Sequence, residues 1–135
     1  MKIFRLRANP DNYQFIELVD EDEWHVLNHM NAGTRPLSDW RAFDVVLAKH
    51  GARGKTLLPS DFPGFDAWAV FSQRAVDQLR RELTDRGRFL PLRCSEGTYV
   101  VFHPTVVIDA LDEANCRIAL FQRQSDGHRS ASFLA

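Results

Sequence analysis

The chain has 135 residues, 44% hydrophobic and 26% charged, with 17 Lys plus Arg against 18 Asp plus Glu. That length suits one domain with its own core, and that composition excludes a disordered chain and a disulfide-dense scaffold. A formal net charge of −1 leaves no general field to attract nucleic acid or an anionic membrane surface.

The N-terminal stretch "MKIFRLR" lacks the long apolar stretch of a signal peptide. No apolar run approaches the roughly 20 residues of a membrane span. Cys94 and Cys116 could pair if adjacent, but two idle thiols are the plainer reading, which favours a reducing compartment. A cytoplasmic protein is expected.

In chain order, residues 2–7 alternate apolar side chains with Arg5 and Arg7 and predict a first strand. "NPDN" at 9–12 predicts a turn, and residues 13–19 a second strand, the two forming a hairpin. "DEDE" (Asp20, Glu21, Asp22, Glu23) precedes Trp24, Leu27 and Met30 at helical spacing. This predicts a short helix capped by Asp20 or Asp22, with acids favoured by the helix dipole. "NAG" at 31–33 ends it. Residues 34–40 read as a loop, 43–49 as a strand and 50–66 as the longest loop.

Residues 67–72 predict another strand. Ser72 then caps the clearest helix, whose apolar stripe is Val76, Leu79 and Leu83, and Gly87 stops it. "RFLPLRC" and "TYVVFHP" predict a hairpin, with Gly97 of "SEG" in the left-handed position. "TVVIDALD" continues extended to a turn at "DEAN". "CRIALFQR" is a further strand, "QSDG" a turn and "HRSASFLA" a last strand. The order predicts a single α+β domain over residues 1–135, with a largely antiparallel sheet and two or three short helices.

Several stretches invite chemical readings. "GARGKT" ends like a phosphate-binding loop, which requires G-x-x-x-x-G-K-[ST]. Its first glycine would stand at position 49, which is Lys49, and Pro59 and Pro63 follow where a helix must open. A mobile basic surface loop is expected instead. His25 and His29 are four apart on a helix, with Glu21 one turn earlier, a face that can bind zinc. Val26 stands where H-E-x-x-H needs its glutamate, and no third ligand is evident. Asp109, Asp112 and Glu113 could do acid–base work or simply cap a turn. Cys94 and His103 are the one conceivable thiol–imidazole pair. Among the tryptophans, Trp40 is the one expected to be most exposed.

Residues 67–112 carry a pattern: "WAVFSQRAVDQLRREL", then "GRFLPLRC", then "TYVVFHPTVVIDALDE". This run resembles a family of bacterial immunity proteins encoded beside polymorphic or contact-delivered toxins. "DWRAFDVVLAKHG" and "LPSDFPG" match its first half more loosely. Many members have Asn where His103 stands and continue beyond Ala135, so this chain is either a short member or lacks a C-terminal extension.

The resemblance implies a cytoplasmic protector that binds and neutralises a cognate protein toxin, with no cofactor and no turnover. It transfers no contact residues. The residues themselves nominate the "DEDE" run (Asp20, Glu21, Asp22, Glu23), with Trp24 nearby, for a basic toxin surface. Trp40, Arg53 and Lys55 are further partner-binding candidates, and Arg86, Arg88, Arg93 and Arg117 could meet an acidic partner. Two other functions remain open at this point: a small ligand-binding or regulatory domain, and a zinc-dependent hydrolase using His25 and His29.

Overall fold

The computed structural model describes residues 2, 5–108, 114 and 115, and the backbone of 117–122 and 129–134. Its strands are β1 (Phe15–Leu18), β2 (Phe43–Ala48), β3 (Gly64–Phe65), β4 (Trp68–Ser72), β5 (Gly87–Cys94) and β6 (Tyr99–Pro104), followed by β7 (Arg117–Gln122) and β8 (Arg129–Leu134). The helices are α1 (Trp24–Asn31) and α2 (Gln73–Leu83). The expected α+β content is present, but the sheet closes on itself. β1-β2-β5-β6-β4-β3 form a barrel, and β7-β8 form a separate two-stranded sheet.

The pairing is mixed rather than largely antiparallel. β2 runs parallel to β5 from Phe43↔Leu92, and β1 runs parallel to β3 at Phe15↔Gly64. Closure gives each of the six barrel strands a neighbour on both sides, although β1 meets β3 at one register only. Period-two patterning identifies faces of a strand but not its partners, so this closure is invisible in it.

Alternation fills the barrel. Ile16, Leu18, Phe43, Val45, Phe65, Trp68, Val70, Leu90, Leu92 and Val101 belong to one buried cluster. They come from all six strands, as alternating inward positions of a small barrel require. Leu27 and Met30 of α1 join the same cluster, so the segment between β1 and β2 plugs the barrel end. A second cluster of Phe71, Val76 and Phe102 lies on the opposite face of β4 and β6. It packs α2 against the outside. The α2 stripe is shallower than expected: Val76 is buried, but Leu79 is exposed.

Local chemistry explains the ends. Ser72 Oγ accepts the Ala75 N–H at 3.2 Å, the expected cap of α2. α1 ends in a Schellman motif, with Gly33 at φ 76, its N–H on the Met30 carbonyl and the Thr34 N–H on that of His29. Gly87 opens β5 rather than stopping α2 directly. A Cβ there would lie 2.4 Å from the His103 carbonyl oxygen, so only glycine allows β5 and β6 to meet at that point.

Three further expectations are corrected. Residues 2 and 5–7 lie outside any strand, and none of them pairs with 13–19 in a hairpin; residues 3 and 4 lie outside the described residues. The turn at 9–12 is present, but β1 pairs with β2 on one edge, while Leu58 and Gly64 meet Tyr13 and Phe15 on the other. The β5–β6 hairpin is present, yet Gly97 is not among the residues at positive φ. Residues 109–113, Cys116 and the "QSDG" turn lie outside the described residues, as do the side chains of 117–134 other than those of 123–128, which fall there entirely.

Candidate functional site

β1 and β2 fix where the expected partner-binding residues stand. In their antiparallel ladder Leu18 faces Val45 and Phe15 faces Ala48. Residues 19–42 therefore lie at one barrel end and residues 49–58 at the other. Asp20, Glu21, Asp22, Glu23 and Trp40 share the first end, and Arg53 and Lys55 occupy the second. The structure does not bring the two groups together; at least the length of β1, roughly 10 Å, separates them.

At the first end, "DEDE" forms a single 3-10 turn, Glu21–Glu23, with Asp20 as its cap. The Asp20 carboxylate accepts the Asp22 N–H at 3.0 Å. Glu23 is mostly covered and ion-paired to Arg41. Asp20, Glu21 and Asp22 are exposed. Glu21 and the Asp22 carboxylate have no ion-pair partner among the described residues.

Trp40 is half-buried rather than prominently exposed. Its Nε1–H donates to the Pro91 carbonyl at 2.9 Å, and its ring sits 5.0 Å from Phe43 and 5.5 Å from Trp68. Edge contacts of this kind are worth about 0.5–1.5 kcal/mol beyond their buried area. The indole meets Pro91 one residue before the β2–β5 ladder starts at Leu92, and so extends that contact. Trp40 holds the acidic end in place and stays partly exposed.

At the second end, "GARGKT" is a hairpin turn. His50 bridges Thr56, Gly51 N–H reaches the Lys55 carbonyl at 2.8 Å, and Leu57 N–H that of Lys49 at 2.8 Å. Arg53 (φ 58) and Gly54 (φ 73) both sit in the left-handed region, and Lys55 N–H closes on the Ala52 carbonyl at 3.2 Å. Two central residues at positive φ define a type I′ turn, whose twist matches the flanking chain. The expected mobile loop is thus a hydrogen-bonded hairpin. No helix follows Thr56, so its amides form no phosphate nest. Lys55 Nζ donates to Asn12 Oδ1, and Arg53 projects from the tip without an ion-pair partner among the described residues.

The other candidates disperse. His25 Nδ1 contacts the Asp22 carbonyl and His29 Nδ1 the Thr34 hydroxyl, so the two rings engage opposite ends of α1. No group of three His, Cys, Asp or Glu suited to a metal occurs among the described residues. His103 pairs with Arg88, six positions from Cys94 along β5, so thiol and imidazole are roughly 20 Å apart along the strand. His103 instead approaches Trp68.

Two features escape sequence reasoning. Asp61 accepts from the Ser72 hydroxyl at 2.6 Å and pairs with Arg74. The Arg74 guanidinium, and then the Ser72 hydroxyl, hold its carboxyl below the ordinary range. With Ser72 Oγ also committed to Ala75, this cluster fastens the start of α2 to the preceding loop. Burial likewise pushes the Tyr99 phenol up, and Glu96 raises Lys49. The second feature is a groove of about 620 Å³ between the 5–10 segment and the β3–β4 turn. Only the alternation of Arg5 and Arg7 hinted at it, because its far wall comes from residues 62–69.

Comparison with known protein families, with curated proteins and with solved structures finds no match. No helix among the described residues is long and apolar enough to cross a membrane.

Proposed function

We propose that this chain is an immunity-type protein that binds a cognate bacterial toxin in the cytoplasm and neutralises it by covering its surface, without cofactor or turnover. The reading rests on the resemblance of residues 67–112. Several residues of that pattern are frame residues here: Phe71 under α2, Ser72 at its cap, Leu90 and Leu92 inside the barrel. A frame of this kind leaves specificity to the charges displayed on it, which steer association and select partners.

The observation that carries the reading is the acidic turn. Its backbone is capped and its last carboxylate is tied to Arg41, while Glu21 and Asp22 remain exposed and free of ion pairs among the described residues. Such a preformed acidic patch suits a basic target, such as a nuclease active site, at little ordering cost.

Co-expression with the toxin encoded beside it tests this. The protein rescues growth and co-elutes with the toxin. Charge reversal at Glu21 and Asp22 weakens the complex by at least about tenfold. No rescue and no complex would sink the proposal.

A further inference from the structure

The β1–β3 ladder stops after a single register, Phe15↔Gly64. Continued in parallel, Glu17 would meet Asp66, but Asp66 adopts φ 50 and turns the chain back into β4. Beyond that register the described residues give β1 no ladder partner on this side, where Leu18 presents its N–H and carbonyl, while Glu17 and Val19 turn to β2, Val19 through its N–H on the Asp44 carbonyl. This open edge borders the groove, whose floor is built from Ile16, Phe65 and Trp68 and whose rim carries Arg5, Arg7 and Asp66.

Three properties define an occupant. An open strand edge supplies a row of backbone donors and acceptors, which an added strand satisfies while alternate side chains set specificity. Arg5 and Arg7 are exposed, and neither is ion-paired among the described residues, so they favour carboxylates over one stretch of the occupant. Asp66 sits in the left-handed region at the β3–β4 turn, a conformation aspartate adopts more readily than most residues. Its carboxylate disfavours an acid at the turn and so gives the groove a direction.

We infer that this groove receives an extended acidic segment of the partner polypeptide, added as a strand along the open edge of β1 with carboxylates over Arg5 and Arg7. This rests on the toxin-binding reading. It adds a second contact, opposite in charge to the acidic turn.

The full-length chain is titrated with a short blocked peptide alternating glutamate and valine, and with its lysine counterpart. The acidic peptide binds and slows amide exchange at Leu18, whose N–H faces the open edge. The double variant Arg5→Glu/Arg7→Glu loses about tenfold or more in affinity and turns to the lysine peptide. These side chains are exposed and unpaired, so an unchanged melting temperature certifies the variant, and Arg5→Gln/Arg7→Gln gives an intermediate loss. No binding by the wild type, or equal binding by the double variant, overturns the inference.

The toxin assay separates the two readings. A wild-type chain that fails to bind the toxin overturns the toxin-binding reading itself. Equal protection by the wild type and the double variant overturns the groove alone.

Discussion

At one end of the barrel, Asp20–Glu23 sit on a capped turn whose following helix inserts Leu27 and Met30 into the lumen and whose return path is pinned by Trp40. At the other, Arg53 and Lys55 sit on a type I′ turn held mainly by backbone hydrogen bonds, with Leu57 as its buried anchor. Acidic charge thus rests on side-chain packing, and basic charge on backbone geometry. The difference teaches that the two ends will fail differently: the first by losing core, the second by losing a turn conformation.

The largest effect should come from the lumen. Leu27 is fully buried, and Leu27→Ala should cost about 2–5 kcal/mol in urea unfolding and displace the acidic turn, which would weaken the proposed toxin complex. Leu57→Ala, outside the main cluster, should fall near the bottom of that range, about 2 kcal/mol. Equal losses would erase the contrast.

Ser72→Ala belongs to neither end and serves as a reference. Losing a cap costs about 0.5–2 kcal/mol, and amide exchange at both ends should be unchanged.

Trp40→Phe keeps a ring but leaves the Pro91 carbonyl without its indole donor. It should cost about 1 kcal/mol and loosen the acidic end, seen as faster amide exchange in α1.

At the basic end the sign reverses. Arg53→Asn removes strain, since asparagine tolerates the left-handed region better, and should raise stability by about 0.5 kcal/mol. A loss there would break the comparison.

The smallest effect is a pH dependence. The Asp61 carboxyl is depressed by Arg74 and Ser72, so its contribution is complete above the ordinary carboxylate range, near pH 4. It is lost as pH falls through the lower folded-state value. Asp61→Asn should flatten the acid limb of a thermal-melt series.

Much of the frame was legible. The α2 helix, its Ser72 cap, the end of α1 at Gly33 and the strands β2, β4, β5 and β6 follow from periodicity and capping chemistry close to their final bounds. What failed was partnership. Residues 2–7 have a strand's alternation, yet their described members join no strand, because the edges at 13–15 are taken by β2, Leu58 and Gly64. The parallel β2–β5 contact and the barrel's closure depend on residues far apart in the chain, which no local pattern encodes.

At the sites, Asp20's cap was legible and Trp40's burial was not, because its acceptor is the Pro91 carbonyl on a distant strand. Arg53-Gly54 does not read as a hairpin turn in the sequence, because arginine is an unusual first central residue where Asn-Gly is the common choice.

Closing the barrel through β3 has a kinetic consequence. The β4–α2–β5–β6 stretch is assembled from neighbours in sequence, whereas Asp44 must find Arg93 across 49 positions and β1 must wait for Gly64. Loop-closure entropy must be met before such contacts reward it. The folding nucleus therefore belongs to the β4–β6 stretch, and the two-residue strand zips last. It should also unzip first, so mutations at Gly64 or Phe65 should speed unfolding while leaving the refolding rate nearly unchanged.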